Sequence, residues 1–299
     1  MKRKVYEQLL EWKSQEHHKP LILNGVRQCG KTYVLKEFGR QEFDSLAYVS
    51  CDRNVNLQAI YSGDFDVARI IQGLSALTGV DIIPGKTLIF LDEVQAFPQA
   101  LEALKYFCED APEYHIVVAG SLLGVALHAG VSFPVGKVQT LRLFPMDFEE
   151  FLMAMGEEQL LKLMHSHDYE LMNAFHEKLK DLLRQYYYVG GMPEVVKAFA
   201  ENKLLNQVRS LQNEILSNYA SDFSKHAPSQ EVPRIDMVWQ SILGQLSKEN
   251  KKFVYGVLKK GGRAKEFELA IQWLVDAGLV YKITKVSKPE WPLKFYEGL

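Results

Sequence analysis

The stretch Gly25-Val26-Arg27-Gln28-Cys29-Gly30-Lys31-Thr32 has the residue types and spacing needed to hold a polyphosphate. Glycines at its first and sixth positions permit backbone dihedrals that turn successive N–H groups inward as an anion nest. A helix starting at Lys31 would aim its positive end at the same point. Lys31 then supplies a point charge to the β- and γ-phosphates, and the Thr32 hydroxyl is a ligand for Mg²⁺. A Gly-x-x-x-x-Gly-Lys-[Ser/Thr] pattern arises by accident in roughly one chain of this length in a hundred.

A second group of chemically capable residues follows an apolar run, Thr87-Leu88-Ile89-Phe90-Leu91-Asp92-Glu93. In a parallel sheet, ligands sit at the carboxyl ends of strands. Asp92 is therefore expected to face the Mg²⁺ held by Thr32, and Glu93 to orient and deprotonate an attacking water. The bland alternative is a solvated strand end that caps the next helix. A GTPase would show Asp-x-x-Gly here and Asn-Lys-x-Asp later, and neither appears. The adjacent acids point to ATP, within the additional-strand class of P-loop proteins. The next apolar run ends at Ser121, a candidate for contact with the γ-phosphate or the lytic water and equally a helix N-cap.

These groups need a scaffold, and the hydrophobic pattern provides one. Leu21–Asn24, Leu46–Val49, Thr87–Leu91 and His115–Ala119 are short apolar runs that read as buried strands, and the alternation over Val138–Leu143 suits an edge strand. Helical patterns lie between them over Lys31–Phe38 (closed by Gly39), Phe65–Leu77 and Ala100–Cys108. Strands alternating with helices predict right-handed βαβ units and a parallel sheet. The alternation stops near residue 145, and from Phe148 to Leu216 almost everything is helical, broken at Val189-Gly190-Gly191-Met192-Pro193 as a rigid turn or a hinge. Ala227-Pro228-Ser229 reads as a linker. The expected organisation is a nucleotide-binding domain over 1–147, a helical lid over 148–228 and a third unit over 229–299.

Bulk properties agree with a soluble nucleotide enzyme and exclude little else. The 299 residues are 47% hydrophobic and 24% charged, with a net charge of -2, so any nucleic-acid contact must come from a local patch. Cys29, Cys51 and Cys108 lack zinc or disulfide spacing. The histidines show no ligand spacing with acids or cysteines. No apolar run reaches the roughly 18 residues of a membrane span, no signal core follows Met1, and the cytoplasm is the expected location.

With these residues in hand, the chain resembles a family of bacterial and archaeal AAA-like ATPases that usually carry a C-terminal domain of unknown function, often suspected to be nuclease-like. The matching segments are Leu23–Thr32, Phe90–Glu93, Ala119-Gly120-Ser121, Leu143-Phe144-Pro145-Met146-Asp147-Phe148-Glu149-Glu150-Phe151, Gly190-Gly191-Met192-Pro193-Glu194 and Trp273–Val280. The resemblance implies an α/β fold: an AAA-like P-loop NTPase parallel sheet followed by a helical lid and a winged-helix domain, with ATP and Mg²⁺ as ligands. It differs in two places. Gly136-Lys137 stands where the family has Gly-Arg, so a second cation on the γ-phosphate is unassigned between Lys137 and Arg142, with a surface salt bridge as the plainer reading of each. Family members also usually continue beyond the position of Leu299.

The last third carries Lys248, Lys251, Lys252, Lys259, Lys260, Arg263 and Lys265 against Glu249 alone between residues 248 and 265. A helix over Ala264–Ala277 and an alternating, hairpin-like stretch over Leu279–Lys285 follow. This order reads as a winged helix whose basic residues meet DNA phosphates, or as a solvated basic face on a protein-interaction unit. Three functions compete: an ATPase that moves its lid and winged-helix units with nucleotide state, a nucleotide-regulated DNA-binding module with little turnover, and a scaffold with a protein partner. Cys29 reads either as a thiol activated by Lys31 and the helix N-terminus or as a small residue filling a tight turn.

Overall fold

The computed structural model describes residues 2–52, 54–121, 134–249 and 252–296. They divide into two compact units, Met1–Ser221 and Asp222–Leu299. Lys251 of the basic stretch, His128 and the final residues 297–299 lie outside the described residues.

The first unit is built on five parallel strands: β1 (Leu21–Asn24), β2 (Ser45–Ser50), β3 (Thr87–Asp92), β4 (His115–Gly120) and β5 (Gln139–Arg142), in the order β2-β3-β4-β1-β5. The insertion of β4 between β1 and β3 is the additional strand. It sets the ends of β1, β3 and β4 side by side. The central strands are apolar without interruption because both faces are covered. On one face Ile22, Ile89, Leu91, Ile116 and Val118 form a core with α3 (Asn56–Ile60), α4 (Val67–Thr78) and α5 (Gln99–Asp110). Alternate residues such as Leu21, Leu23, Leu88 and Phe90 are equally buried. The aromatic contacts Trp12–Phe38 and Trp12–His115 tie α1 (Val5–Ser14) and α2 (Lys31–Glu42) to the same unit. Edge strand β5 alternates half-buried and exposed residues, as its sequence alternation requires.

One helix boundary differs from the sequence expectation. Gly39 does not close α2, which runs on to Glu42. A Cβ there would stand 2.7 Å from Leu46 Cδ1 and 3.2 Å from Leu88 Cδ2. The glycine lets the helix approach β2 and β3, and close packing outweighs its low helix propensity. Gly79, by contrast, ends α4 with φ 68° and an N–H bonded to the Ser75 carbonyl.

Beyond β5 the unit is helical: α6 (Phe148–Ala154), α7 (Glu158–Ser166), α8 (Tyr169–Ala174), α9 (His176–Val189), α10 (Pro193–Asn202) and α11 (Leu205–His226). Asp147 and Glu150 form a capping box at the start of α6, each accepting from the other's backbone N–H. The α9–α10 break is an anchor. A Cβ on Gly191 would sit 2.1 Å from the Met146 carbonyl oxygen, and the Met146 N–H donates to the Gly191 carbonyl at 2.6 Å. The Tyr186 hydroxyl donates to the Met146 carbonyl at 2.9 Å. The two segments Leu143–Phe151 and Gly190–Glu194 are therefore one packed junction.

In the second unit α12 (Val232–Leu246) and α13 (Ala264–Asp276) pack around Phe223, Ile235, Val238, Phe267 and Leu274. Phe223 meets Trp239 and Trp273 edge-on. The expected hairpin over residues 279–285 is not formed among the described residues, where only Val286 enters a β-bridge. Tyr281 and Ile283 are 60% and 91% exposed, so the alternation does not face a core. Among the described residues the winged helix expected here is not shown.

The stacked pair His18 and His115, with ring centroids 3.8 Å apart, is buried beside Trp12 and Phe43. Burial, reinforced by His18, pushes the His115 pKa down to about 4. The unfolded chain takes up this proton below the ordinary histidine value of 6.5 while the folded chain does not. Stability tied to His115 is thus complete above pH 6.5 and lost as pH falls towards 4. Urea unfolding at pH 7 and pH 5 should show His115→Leu escaping about 2 kcal/mol of the acid loss suffered by the parent. An equal loss in both proteins would contradict this.

Candidate functional site

The phosphate loop joins β1 to α2 through residues whose local geometry only glycine meets. A Cβ on Gly25 would fall 2.3 Å from the Leu143 carbonyl oxygen, and Gly30, the residue before α2, has φ 95°. Gln28 also adopts a left-handed conformation, with φ 63°. Lys31 is 7% exposed. Its ammonium donates to the carbonyls of Gly25 at 2.8 Å and Val26 at 2.9 Å, which spends two of its three donors. Burial lowers its pKa, while Cys29, Glu93 and Asp92 oppose that shift. A buried cation at a helix N-terminus is a cradle for an anion.

β3 delivers the two acids next to this loop. The Thr32 hydroxyl donates to Asp92 Oδ2 at 2.7 Å, and the Tyr48 hydroxyl reaches the same oxygen at 3.4 Å. Asp92 is 4% exposed, and burial raises its pKa. Thr32 and Asp92 thus form an oxygen pair suited to a hard divalent cation. Glu93 leaves the strand with φ 52°, a conformation that costs an L-residue about 1 kcal/mol and turns its side chain away from the strand path. Its Oε2 accepts from Gln95 Nε2 at 2.5 Å and from the Ser121 hydroxyl at 3.4 Å. Ser121 itself is buried at the end of β4. The fold therefore brings Lys31, Thr32, Asp92, Glu93 and Ser121 to one end of adjacent strands.

Two residues fall elsewhere. Lys137 pairs with Glu109 at 2.8 Å, and that partner raises its pKa. Arg142 is exposed at the end of β5, with its guanidinium 5.8 Å from the Phe144 ring centroid. Neither contact involves the loop. Cys29 is fully buried, and burial raises its pKa against the opposing pull of Lys31 and Arg3. Desolvation outweighs the nearby cations, so the thiolate is disfavoured and the thiol is a packing group against Gly25, whose Cβ would lie 3.0 Å from Sγ.

Two loop partners are not legible in the sequence. Arg3, 7% exposed, donates from Nη1 to the Cys29 carbonyl at 2.8 Å, from Nη2 to the Phe144 carbonyl at 2.6 Å and from Nε to Glu150 Oε1 at 3.0 Å. The Tyr219 hydroxyl on α11 donates to the Arg27 carbonyl at 2.7 Å. Both residues are remote in sequence from the loop and belong to no motif. The only hint is chemical, an arginine directly before an amphipathic helix and a motif glutamate without an assigned partner.

Comparison with known proteins agrees with the fold. The AAA domain family matches residues 17–152, and a domain of unknown function matches residues 180–295. Nothing among curated proteins matches the chain. Among solved structures the chain is similar to the Walker-type ATPase paby2304 of Pyrococcus abyssi, with 13% identity, a TM-score of 0.59 and coverage of 94% of this chain and 91% of that one. At that identity the likeness shows the fold. The ORC1 protein of Aeropyrum pernix in complex with DNA is 15% identical, with 95% and 85% coverage, but its TM-score of 0.34 carries no argument. No helix among the described residues is long and apolar enough to cross a membrane. With their additional-strand sheet and phosphate loop, residues 17–152 match the AAA domain family and carry an AAA-like P-loop NTPase fold.

Proposed function

We propose that this protein binds ATP with Mg²⁺ in the loop Gly25–Thr32 and hydrolyses it, coupling nucleotide state to the position of its helical lid (148–228) and of the trailing unit (229–299). The observation that carries the reading is the convergence of Lys31, the Thr32–Asp92 pair and Glu93 on one end of the sheet. The loop amides and Lys31 hold the phosphates, and the third donor of Lys31 serves the β- and γ-oxygens. Thr32 and Asp92 hold Mg²⁺, which neutralises phosphate charge and polarises the scissile bond when bound. Glu93 accepts the proton of the attacking water, and Ser121 holds the Glu93 carboxylate and senses the γ-phosphate side of the site.

The reading is tested at Lys31. Equilibrium titration with ATP should show Lys31→Ala binding on the order of 10- to 100-fold more weakly than the parent, the loss of a charge-assisted contact. Equal affinity in both proteins would remove the loop from the account. Lys248, Lys252, Lys259, Lys260, Arg263 and Lys265 are exposed on the second unit, with Lys259 3.8 Å from Glu266. Charge alone does not separate a nucleic acid from an acidic protein, so the proposed function stops at the nucleotide.

A further inference from the structure

Four carbonyl oxygens of the phosphate loop are held by side chains. Lys31 takes those of Gly25 and Val26, Tyr219 takes that of Arg27, and Arg3 takes that of Cys29. A trans peptide is planar, so the carbonyl of one residue and the N–H of the next point in opposite directions. Fixing the Arg27 carbonyl therefore fixes the N–H of Gln28, and fixing the Cys29 carbonyl fixes the N–H of Gly30. Both amides lie in the loop expected to form the anion nest. Gln28 and Gly30 are also the loop residues in left-handed conformations, with φ 63° and 95°, and such residues relax unless their surroundings over-determine them.

Neither clamp is a surface accident. Arg3 and Tyr219 are both at most 7% exposed. Arg3 is anchored by Glu150, whose own carboxylate also accepts from the backbone N–H groups of Lys4 and Asp147. Tyr219 stands on α11, beyond the α9–α10 junction. The two clamps thus reach the loop from the N-terminal arm, held against α6, and from the long helix of the helical region. Pro193, at the start of α10, adds a wall: a Cβ on Gly30 would lie 3.6 Å from its Cγ.

We propose that Arg3 and Tyr219 are positioning residues that pre-organise the Gln28 and Gly30 amides for a polyphosphate, and that this brace is how the helical region sets nucleotide affinity. The inference rests on the proposed nucleotide site and extends it to residues outside the sheet. A pre-organised nest lowers the cost of ordering at the moment of binding. It acts on ground state and transition state alike, so its loss raises KM and leaves kcat largely intact.

Tyr219→Phe removes one hydroxyl and keeps the buried ring. Arg3→Lys keeps a cation for Glu150 and loses the fork that spans Cys29 and Phe144. Amide hydrogen exchange of the nucleotide-free protein should show faster exchange at Gln28 and Gly30 in both variants, with β3 and β4 protection unchanged. ATP titration should show affinity weakened about five- to tenfold in Tyr219→Phe, the worth of one buried hydrogen bond. Steady-state kinetics should place the change in KM. Unaltered exchange at Gln28 and Gly30 in both variants would overturn the brace. Failure of the parent protein to bind ATP would instead overturn the nucleotide reading, and the exchange experiment would still judge the brace.

Discussion

Glu93→Gln is expected to keep ATP binding within about twofold of the parent and to lower phosphate release by about 10²-fold or more, the range of a lost general base. The substitution is a narrow one. Glutamine retains an oxygen that accepts from Gln95 Nε2 and from the Ser121 hydroxyl, the contacts that Glu93 Oε2 makes. It tolerates the φ of 52° no worse than glutamate does. The loop, Lys31 and the Thr32–Asp92 pair are untouched. The one property removed is the capacity to take a proton. Parallel ATP titration and phosphate-release assays separate the outcomes. Turnover at the parental rate would assign the base elsewhere, and weakened binding would mean that Glu93 serves the architecture of the site.

The second large effect is structural. Gly191→Ala should cost about 3 kcal/mol in urea unfolding, through overpacking and a disrupted buried hydrogen bond. The added methyl would meet backbone atoms of Met146, the carbonyl oxygen at 2.1 Å and the nitrogen at 2.9 Å, and neither can rotate aside. The bond from the Met146 N–H to the Gly191 carbonyl must lengthen with it. Gly244 is the internal control. It lies within α12 without a positive φ, and an added methyl there would meet nothing within 4 Å, so Gly244→Ala should cost nothing and gain up to about 1 kcal/mol of helix propensity. Equal costs at the two positions would contradict the packed junction.

These two residues mark the limits of what the sequence reveals. The site around Glu93 is legible because its parts are local. The loop residues are consecutive, and Asp92 and Glu93 close an apolar run whose place in a parallel sheet follows from βαβ handedness. Gly191 is visible as a break and not as a contact, because its partner Met146 is brought to it only when the helical region folds. Gly39 misleads for the same reason: its meaning lies in Leu46 and Leu88 across the interface. Arg3 and Tyr219 meet the loop through tertiary geometry alone. Cys29 has the cationic neighbours its position predicts, but burial outweighs them. The stretch 279–285 has a strand's period but forms no strand among the described residues, and period by itself does not make a sheet.

The central claim is that the chain turns over ATP at the end of β1, β3 and β4. The most direct measurement is phosphate release from ATP by the purified protein, with Mg²⁺ and with a chelator in its place. The account predicts saturable release with Mg²⁺ that disappears with the chelator and in Glu93→Gln. Tight ATP binding with no release above the buffer background would contradict it and leave a nucleotide-binding protein without turnover.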